Sequence, residues 1–218
     1  MSAAHALPER SQSVGEEIAN AVSHGVGLLL AVVAALVLVV AALQRSSVAD
    51  LVGAIIFGTT MVLAYLASTL YHALPMNRAK RLFRILDNGA IFLLIAGTYT
   101  PFMLGPLRGT WGSTLLGLVW GLALVGVTFK VIGGVRYPKL STSLYIAMGW
   151  LIIVAIEPLR LNLRLPGFLW LLAGGIAYTT GVTFFATRRL RYGHFVWHLF
   201  VLTGTACHFA AVLCYVPD

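Results

Sequence analysis

Two of the six histidines in the sequence, His194 and His198, are four positions apart. In a helix this spacing puts both imidazoles on one face, one turn apart, so that the pair can offer two nitrogens to a single metal ion. His72 is the candidate third ligand, and Ser68, four residues before it, shares its helical face and could orient a ligand or a water molecule. Three neutral imidazoles with an open fourth position are typical of a catalytic zinc site rather than a closed structural one.

Asp87 is the one formally charged residue that falls inside the predicted apolar spans, and it lies close to the start of the third. A carboxylate near a metal could hold or deprotonate a water molecule there. Zinc is favoured over copper or iron because it is the usual partner of three histidines in hydrolytic sites. Two alternatives stay open: the His194 and His198 pair could be hydrogen-bonded packing residues, and Asp87 could pair with Arg84 or Arg81 at the membrane interface.

Further polar residues precede and follow these candidates. Glu17, Asn20 and His24 fall at positions i, i+3 and i+7, on one stripe of a helix. The stripe is either a polar helix start, with Glu17 at the positive end of the helix dipole, or a second shell and mouth for the metal site. We favour the second because uninterrupted apolar sequence follows. His208 lies about 15 Å further along its helix than His198 and is predicted to be a packing residue outside the metal site.

The composition is that of a membrane protein. Of the 218 residues, 59% are hydrophobic and 10% are charged, and the mean hydropathy is +0.90. Soluble domains carry roughly a quarter charged residues, so a soluble globule is excluded. The formal charge is +8, but the basic residues form short runs between apolar stretches, which is typical of membrane loops and not of nucleic-acid binding. Cys207 and Cys214 are too far apart along one helix to form a disulfide.

The apolar stretches predict an all-α fold, a bundle of seven transmembrane helices. The first 18 residues form a predicted polar tail, and residues 19–216 form a predicted single membrane domain. The predicted spans are Ala19–Leu43, Leu51–Ala73, Ile85–Gly105, Thr110–Phe129, Leu140–Ile156, Gly167–Thr187 and His194–Val216. Lys and Arg number eleven on the N-terminal side of these spans and four on the other side, which predicts a cytoplasmic N-terminus and an exterior C-terminus.

This topology brings the ends of spans one, two, three and seven, with their polar residues, to the same membrane face. Two local features are also predicted. The Gly117-x-x-x-Gly121 pair and the glycines of span six indicate close helix packing. Around Pro101, the hydroxyls of Thr98 and Thr100 are predicted to satisfy the carbonyl that proline leaves without a donor.

Four segments resemble the hemolysin III group of the progestin and adipoQ receptor family, the seven-span proteins that include adiponectin receptors. They are Glu16–Gly25, Ser68–His72, Asp87 running into Ala96–Pro101, and Tyr192–His198. The resemblance implies that His72, His194 and His198 bind zinc, with Ser68 and Asp87 beside it. Asn88 departs from the pattern, because bacterial members usually have histidine after the aspartate. The departure bears on an auxiliary proton relay, not on the metal.

The resemblance also implies a function. Relatives are grouped with alkaline ceramidases, so we expect a zinc-dependent hydrolase acting on an amide or ester of a membrane lipid, in lipid homeostasis of a bacterial plasma membrane. The alternative is a non-enzymatic sensor of membrane state with a structural zinc. A pore-forming hemolysin ranks third, because Asp87 is the one formal charge inside the predicted spans and no polar stripe runs the length of any span.

Overall fold

The computed structural model describes residues 11–187 and 190–215. His5 and the rest of the first ten residues of the predicted tail, two arginines of the orientation count (Arg188 and Arg189), and the last three residues of the chain lie outside the described residues.

Within the described ranges the chain forms helices and no strands, which confirms the predicted all-α class. The elements are α1 (Val14–Gln44), α2 (Val48–Ala73), α3 (Arg78–Leu104), α4 (Thr110–Gly133), α5 (Pro138–Gly149), a 3-10 helix (Leu151–Ala155), α6 (Ile156–Asn162), α7 (Leu165–Ala186) and α8 (Gly193–Tyr215). Seven helical stretches of the described chain are long and apolar enough to cross a membrane, as predicted, with α5, the 3-10 helix and α6 together forming the fifth.

Helix α1 begins five residues before the predicted boundary at Ala19. Ser13 caps the helix, with its hydroxyl accepting from the Glu16 N–H at 3.3 Å while the Glu16 carboxylate accepts from the Ser13 N–H at 2.9 Å. This reciprocal capping box satisfies two backbone donors at the helix start. Residues 14–18, placed in the polar tail by hydropathy, are therefore helical, because a cap and not the edge of an apolar run decides where a helix begins.

The fifth span differs from its prediction, Leu140–Ile156, in both length and continuity. It runs over Pro138–Asn162 and is interrupted by a turn of 3-10 helix. The break lies against Tyr99 of α3, whose hydroxyl oxygen accepts from the Ile152 N–H at 2.8 Å and lies 2.9 Å from the Met148 carbonyl oxygen. Backbone groups freed inside a bilayer need such partners, since no water is present to satisfy them.

Pro101 does not end helix α3, which continues to Leu104. Thr98 and Thr100 donate to the carbonyls of Leu94 and Ala96, at 2.8 and 2.9 Å. The carbonyl that proline deprives of a donor is that of residue 97, so the prediction that these hydroxyls serve it was wrong. Each hydroxyl instead makes the ordinary bond of threonine to the carbonyl four residues earlier.

Close packing at glycines joins several of the spans. A Cβ at Gly27 of α1 would collide with Tyr65 of α2, and one at Gly181 of α7 would collide with Trp197 of α8. Gly117 and Gly121 of α4 have no neighbour within 4 Å of that position, so the predicted packing at this pair was wrong within the described structure. Helix α2 packs closely against α1 and α3, and α8 packs closely against α7 and less extensively against α1, whereas α5 makes few contacts and a cavity lies beside it.

Candidate metal centre

Three histidines converge at the end of the bundle where α1 begins. His72 lies in the last turn of α2, and His194 and His198 lie in the first turns of α8. One ring nitrogen from each lies within 4.8 Å of those of the other two. His72 and His198 are buried, and His194 is half-buried. The predicted third ligand is thus brought to the pair that the helical spacing identified.

The nitrogens facing away from the cluster are held by residues of α1. Nδ1 of His72 lies 2.7 Å from a carboxylate oxygen of Glu17, and Nδ1 of His198 lies 3.2 Å from the hydroxyl of Ser23. Nε2 of His72 and Nε2 of His194 are buried and have no hydrogen-bond partner among the described residues. Metal-binding histidines have this arrangement, since a carboxylate or hydroxyl on one ring nitrogen fixes the tautomer that leaves the other free for the ion. The residues present therefore fit zinc.

Glu17 also connects the cluster to α3. Its second carboxylate oxygen lies 3.1 Å from Nζ of Lys80, which also donates to the Leu74 carbonyl at 3.1 Å. Asn20 extends this shell, with its amide nitrogen 3.5 Å from Nδ1 of His72. The structure thus places Glu17 and Asn20 against the histidines.

Sequence reasoning missed two residues of this shell, Ser23 and Lys80. Ser23 falls three residues after Asn20, on the same stripe, so its spacing could have indicated it. Lys80 is one of the basic residues between spans two and three that set the predicted orientation, and nothing in its local sequence connects it with Glu17.

Asp87 of α3 faces the cluster from beside α2. Its carboxylate is close enough to interact with His72 and the Ser68 hydroxyl, which is buried and makes no well-formed hydrogen bond. Among the described residues, no ion pair joins Asp87 to Arg81 or Arg84. The alternative of an interfacial pair with arginine is therefore not formed among the described residues, and Asp87 and Ser68 lie beside His72.

Asn88, the departure from the family pattern, is directed along its own helix. Its side-chain amide donates to the Arg84 carbonyl at 2.9 Å, and its backbone carbonyl accepts from the Tyr145 hydroxyl at 2.7 Å. This residue therefore connects α3 to α5 and leaves the adjacent Asp87 as the polar group of α3 that faces the histidines.

His24 lies against the cluster without belonging to it. Its ring stacks on that of His198, with centroids 3.5 Å apart and planes 12° apart, and meets the ring of Tyr65 edge-on. The side chain is buried, and neither of its ring nitrogens has a hydrogen-bond partner within residues 11–187 and 190–215. His24 also lines the cavity, so a ligand there would meet a polar group from α1 next to the three histidines.

The cavity, of about 340 Å³, extends from the histidines into the bundle between α2, α3, α5, α7 and α8. At the histidine end its wall is polar. Deeper in the bundle it is lined mainly by apolar side chains, including Leu94, Phe102, Met103, Leu159, Phe168 and Leu172. An apolar chamber with a few polar groups at one end suits an amphipathic ligand whose polar part lies at the histidines and whose chain lies among the helices.

Comparison with known proteins agrees with this architecture. The family described as "Haemolysin-III related" matches residues 12–209, a range that contains the whole candidate centre. The chain belongs to this family. It is 50% identical over 210 residues to "Hemolysin-3" of Bacillus cereus (96% of each chain) and 47% identical over 203 residues to "Hemolysin-3 homolog" of Bacillus subtilis strain 168 (93% of this chain, 95% of the relative).

A more distant relative is the human protein named "Monocyte to macrophage differentiation factor", 26% identical over 171 residues that cover 74% of this chain and 69% of the relative. The resemblance to the hemolysin III group is thereby confirmed. With seven helical spans among its described residues able to cross a membrane, this haemolysin III-related chain is a multi-pass protein of the cell membrane.

Proposed function

We propose that this haemolysin III-related protein is a zinc-dependent hydrolase that cleaves an amide or ester bond of a membrane lipid. The observation that carries the proposal is the convergence of ring nitrogens from His72, His194 and His198 within 4.8 Å at the polar end of an otherwise apolar cavity. A closed structural site would use four protein ligands, whereas three histidines beside a cavity leave room for a substrate.

The residues around the three histidines have distinct roles in this proposal. Zinc held by the three histidines would act as a Lewis acid that polarises a carbonyl. Asp87 accepts a proton from the attacking water and returns it to the departing amine or alkoxide. Ser68, beside Asp87, orients the water by hydrogen bonding. Glu17 and Ser23 hold the imidazoles of His72 and His198 in the required orientation.

The cavity supports a lipid as the substrate. Its polar end, with Ser68, Asp87 and His24, would surround the scissile carbonyl, and its apolar walls would surround the acyl chain. Burying that chain against apolar side chains supplies binding energy that positions the carbonyl at the histidines. The ester or amide would then be cleaved close to the membrane face, from which the polar product can leave.

A non-enzymatic sensor of membrane state is the second candidate, favoured by one specific observation. The centre joins helices far apart in sequence, since the histidines connect α2 to α8 and Glu17 connects α1 to His72 and to Lys80 of α3. A metal in this position would also fasten four spans together. In that case the cavity would hold a lipid as a ligand without cleaving it.

Turnover of labelled lipids by the purified protein tests the proposal. Fluorescent N-acyl lipid amides and matched esters would be incubated with protein as purified, after chelator treatment, and after zinc is returned. We expect turnover that is lost with the chelator and restored by zinc, and no turnover from the His194→Ala/His198→Ala variant. Zinc-loaded protein that binds the lipid but cleaves neither bond would contradict the hydrolase and favour the sensor.

A further inference from the structure

A second polar group faces the same cavity deep in the bundle, at His208 of α8. The ring is buried, and a Cβ at Gly174 of α7 would collide with its Nε2 edge. Nε2 lies 3.3 Å from the carbonyl oxygen of Leu171. Because a carbonyl only accepts, Nε2 carries the proton, and Nδ1 of the neutral ring is an acceptor. Nδ1 is buried and has no hydrogen-bond partner in the part of the chain that the structure describes, although the ring lines the cavity.

A cluster of three hydroxyls lies beside this imidazole. The Tyr65 hydroxyl donates to Thr205 Oγ1 at 2.8 Å, and the Tyr178 hydroxyl lies 2.7 Å from the same atom. The rings of Tyr178 and His208 are 5.4 Å apart, and both tyrosines line the cavity. Three hydroxyls have three protons, and these two bonds use two of them. One proton is therefore left to donate to a ligand, and the ring of Tyr178 contacts the imidazole whose Nδ1 needs a donor.

Unpaired donors and acceptors are costly in an apolar interior, so this pairing of one spare donor with one spare acceptor points to a polar occupant. A hydroxyl group satisfies both at once, because it donates one hydrogen bond and accepts others. A ketone can only accept, and a methylene group can do neither.

The distance from the metal centre fixes where on a ligand this hydroxyl would be. His198 and His208 line the same cavity and are ten residues apart on one helix, or about 15 Å at 1.5 Å per residue. Carbon–carbon bonds of about 1.5 Å advance roughly 1.3 Å each along an extended chain, so about twelve carbons cover this distance.

We propose that His208, Tyr178, Thr205 and Tyr65 form a subsite that binds a hydroxyl group on the ligand's acyl chain, about twelve carbons from its carbonyl end. The hydroxyl donates to Nδ1 of His208 and accepts from the hydroxyl cluster. The inference rests on the proposed function only in placing the carbonyl end at the three histidines. It makes this protein selective for mid-chain hydroxylated acyl lipids.

Competition binding tests the subsite without requiring turnover. A fluorescent fatty acid bound to the full-length protein in lipid nanodiscs would be displaced by octadecanoic acid and by its 12-hydroxy, 12-oxo and 6-hydroxy derivatives. We expect the 12-hydroxy acid to bind roughly fivefold more tightly than octadecanoic acid, the net effect of its two buried hydrogen bonds after the cost of removing the hydroxyl from water. The 6-hydroxy isomer controls for partitioning into the bilayer and should show no gain.

Variants assign the preference to the residues. His208→Leu removes the acceptor at similar size and should abolish the fivefold preference, while Tyr178→Phe removes one hydroxyl and should reduce it. Thr203→Val is the matched control, since the Thr203 hydroxyl is on the same helix but exposed and bonded to the Leu199 carbonyl. Melting temperatures would show that each variant is folded.

The outcomes separate this inference from the proposed function. Equal binding of the 12-hydroxy and unsubstituted acids would mean that the subsite holds a trapped water only, and a preference that survives His208→Leu would equally overturn the inference. Failure of every acid to displace the probe would overturn both proposals. A preserved 12-hydroxy preference in a protein that cleaves no lipid would leave the subsite standing and overturn the hydrolase.

Discussion

Helix α8 contributes histidines to two sites with different surroundings. The first group is His194 and His198, which meet His72 of α2, and the second group is His208. At the start of the helix, His194 and His198 meet His72, and residues of α1 occupy the outward nitrogens of His72 and His198. Ten residues later, His208 has the Leu171 carbonyl at one ring nitrogen and the ring of Tyr178 beside it. The comparison teaches that convergence of several lone pairs predicts a metal site, whereas a single buried lone pair predicts a hydrogen bond.

The largest expected effect is the loss of zinc when the first group is removed and the second is left intact. His194→Ala combined with His198→Ala removes two of three ligands, so zinc should fall from about one ion per chain to near zero. His208→Ala should leave zinc in place. Elemental analysis of protein purified after zinc-replete expression measures both. Zinc retained by the double variant, or lost from His208→Ala, would reverse the assignment of the two groups.

Asp87→Asn separates chemistry from metal binding at the first group. The substitution keeps size and some hydrogen bonding but removes the charge that accepts a proton, so lipid turnover should fall roughly a hundredfold or more while zinc remains. Asp50→Asn, near the start of α2 at the other end of the bundle, is the matched control and should retain activity. Undiminished turnover in Asp87→Asn would remove this residue from the mechanism.

Glu17→Gln tests the residue that holds His72 from outside. A neutral amide in place of the carboxylate weakens the bond to Nδ1 and the pairing with Lys80, so zinc affinity should fall about tenfold to a hundredfold. Glu157→Gln removes an exposed carboxylate paired with Arg160 and serves as the control. Zinc competition with a chromophoric chelator measures the difference. Equal affinities in the two variants would show that the α1 shell does not tune the centre.

The smallest effect is expected away from both groups. Tyr99→Phe removes the hydroxyl that bonds the backbone at the break in the fifth span and leaves the Ile152 N–H without its partner. The substitution should lower the free energy of unfolding by about 1–3 kcal/mol. Tyr137→Phe, at an exposed tyrosine, is the control. Thermal melting measures this loss, and zinc content should be unchanged. A melting temperature equal to that of the parent would mean that the break needs no partner from α3.

Hydropathy and helical spacing predicted much of this molecule. The convergence with His72 follows from the topology, which brings the ends of spans two and seven to the same membrane face. The seven apolar stretches and the His194 and His198 pair follow from the length and helical spacing of each segment's own sequence. The break in span five did not, because it depends on Tyr99, about fifty residues away in the chain. Lys80 was missed for the same reason: its partner Glu17 lies on α1, and the two residues meet because α1 and α3 both pack against α2.

The Glu16 carboxylate, which caps α1, also accepts from the Tyr192 N–H at 2.9 Å. Tyr192 directly precedes α8 and has a positive φ of 57°. These residues are 176 positions apart, and Ser23 and His198 are 175 apart. During synthesis, α1 and α2 enter the membrane long before their partners in α8 exist. The three-histidine centre can therefore form only after the last helix has been made, so a chain that stops short of α8 reaches the membrane without it.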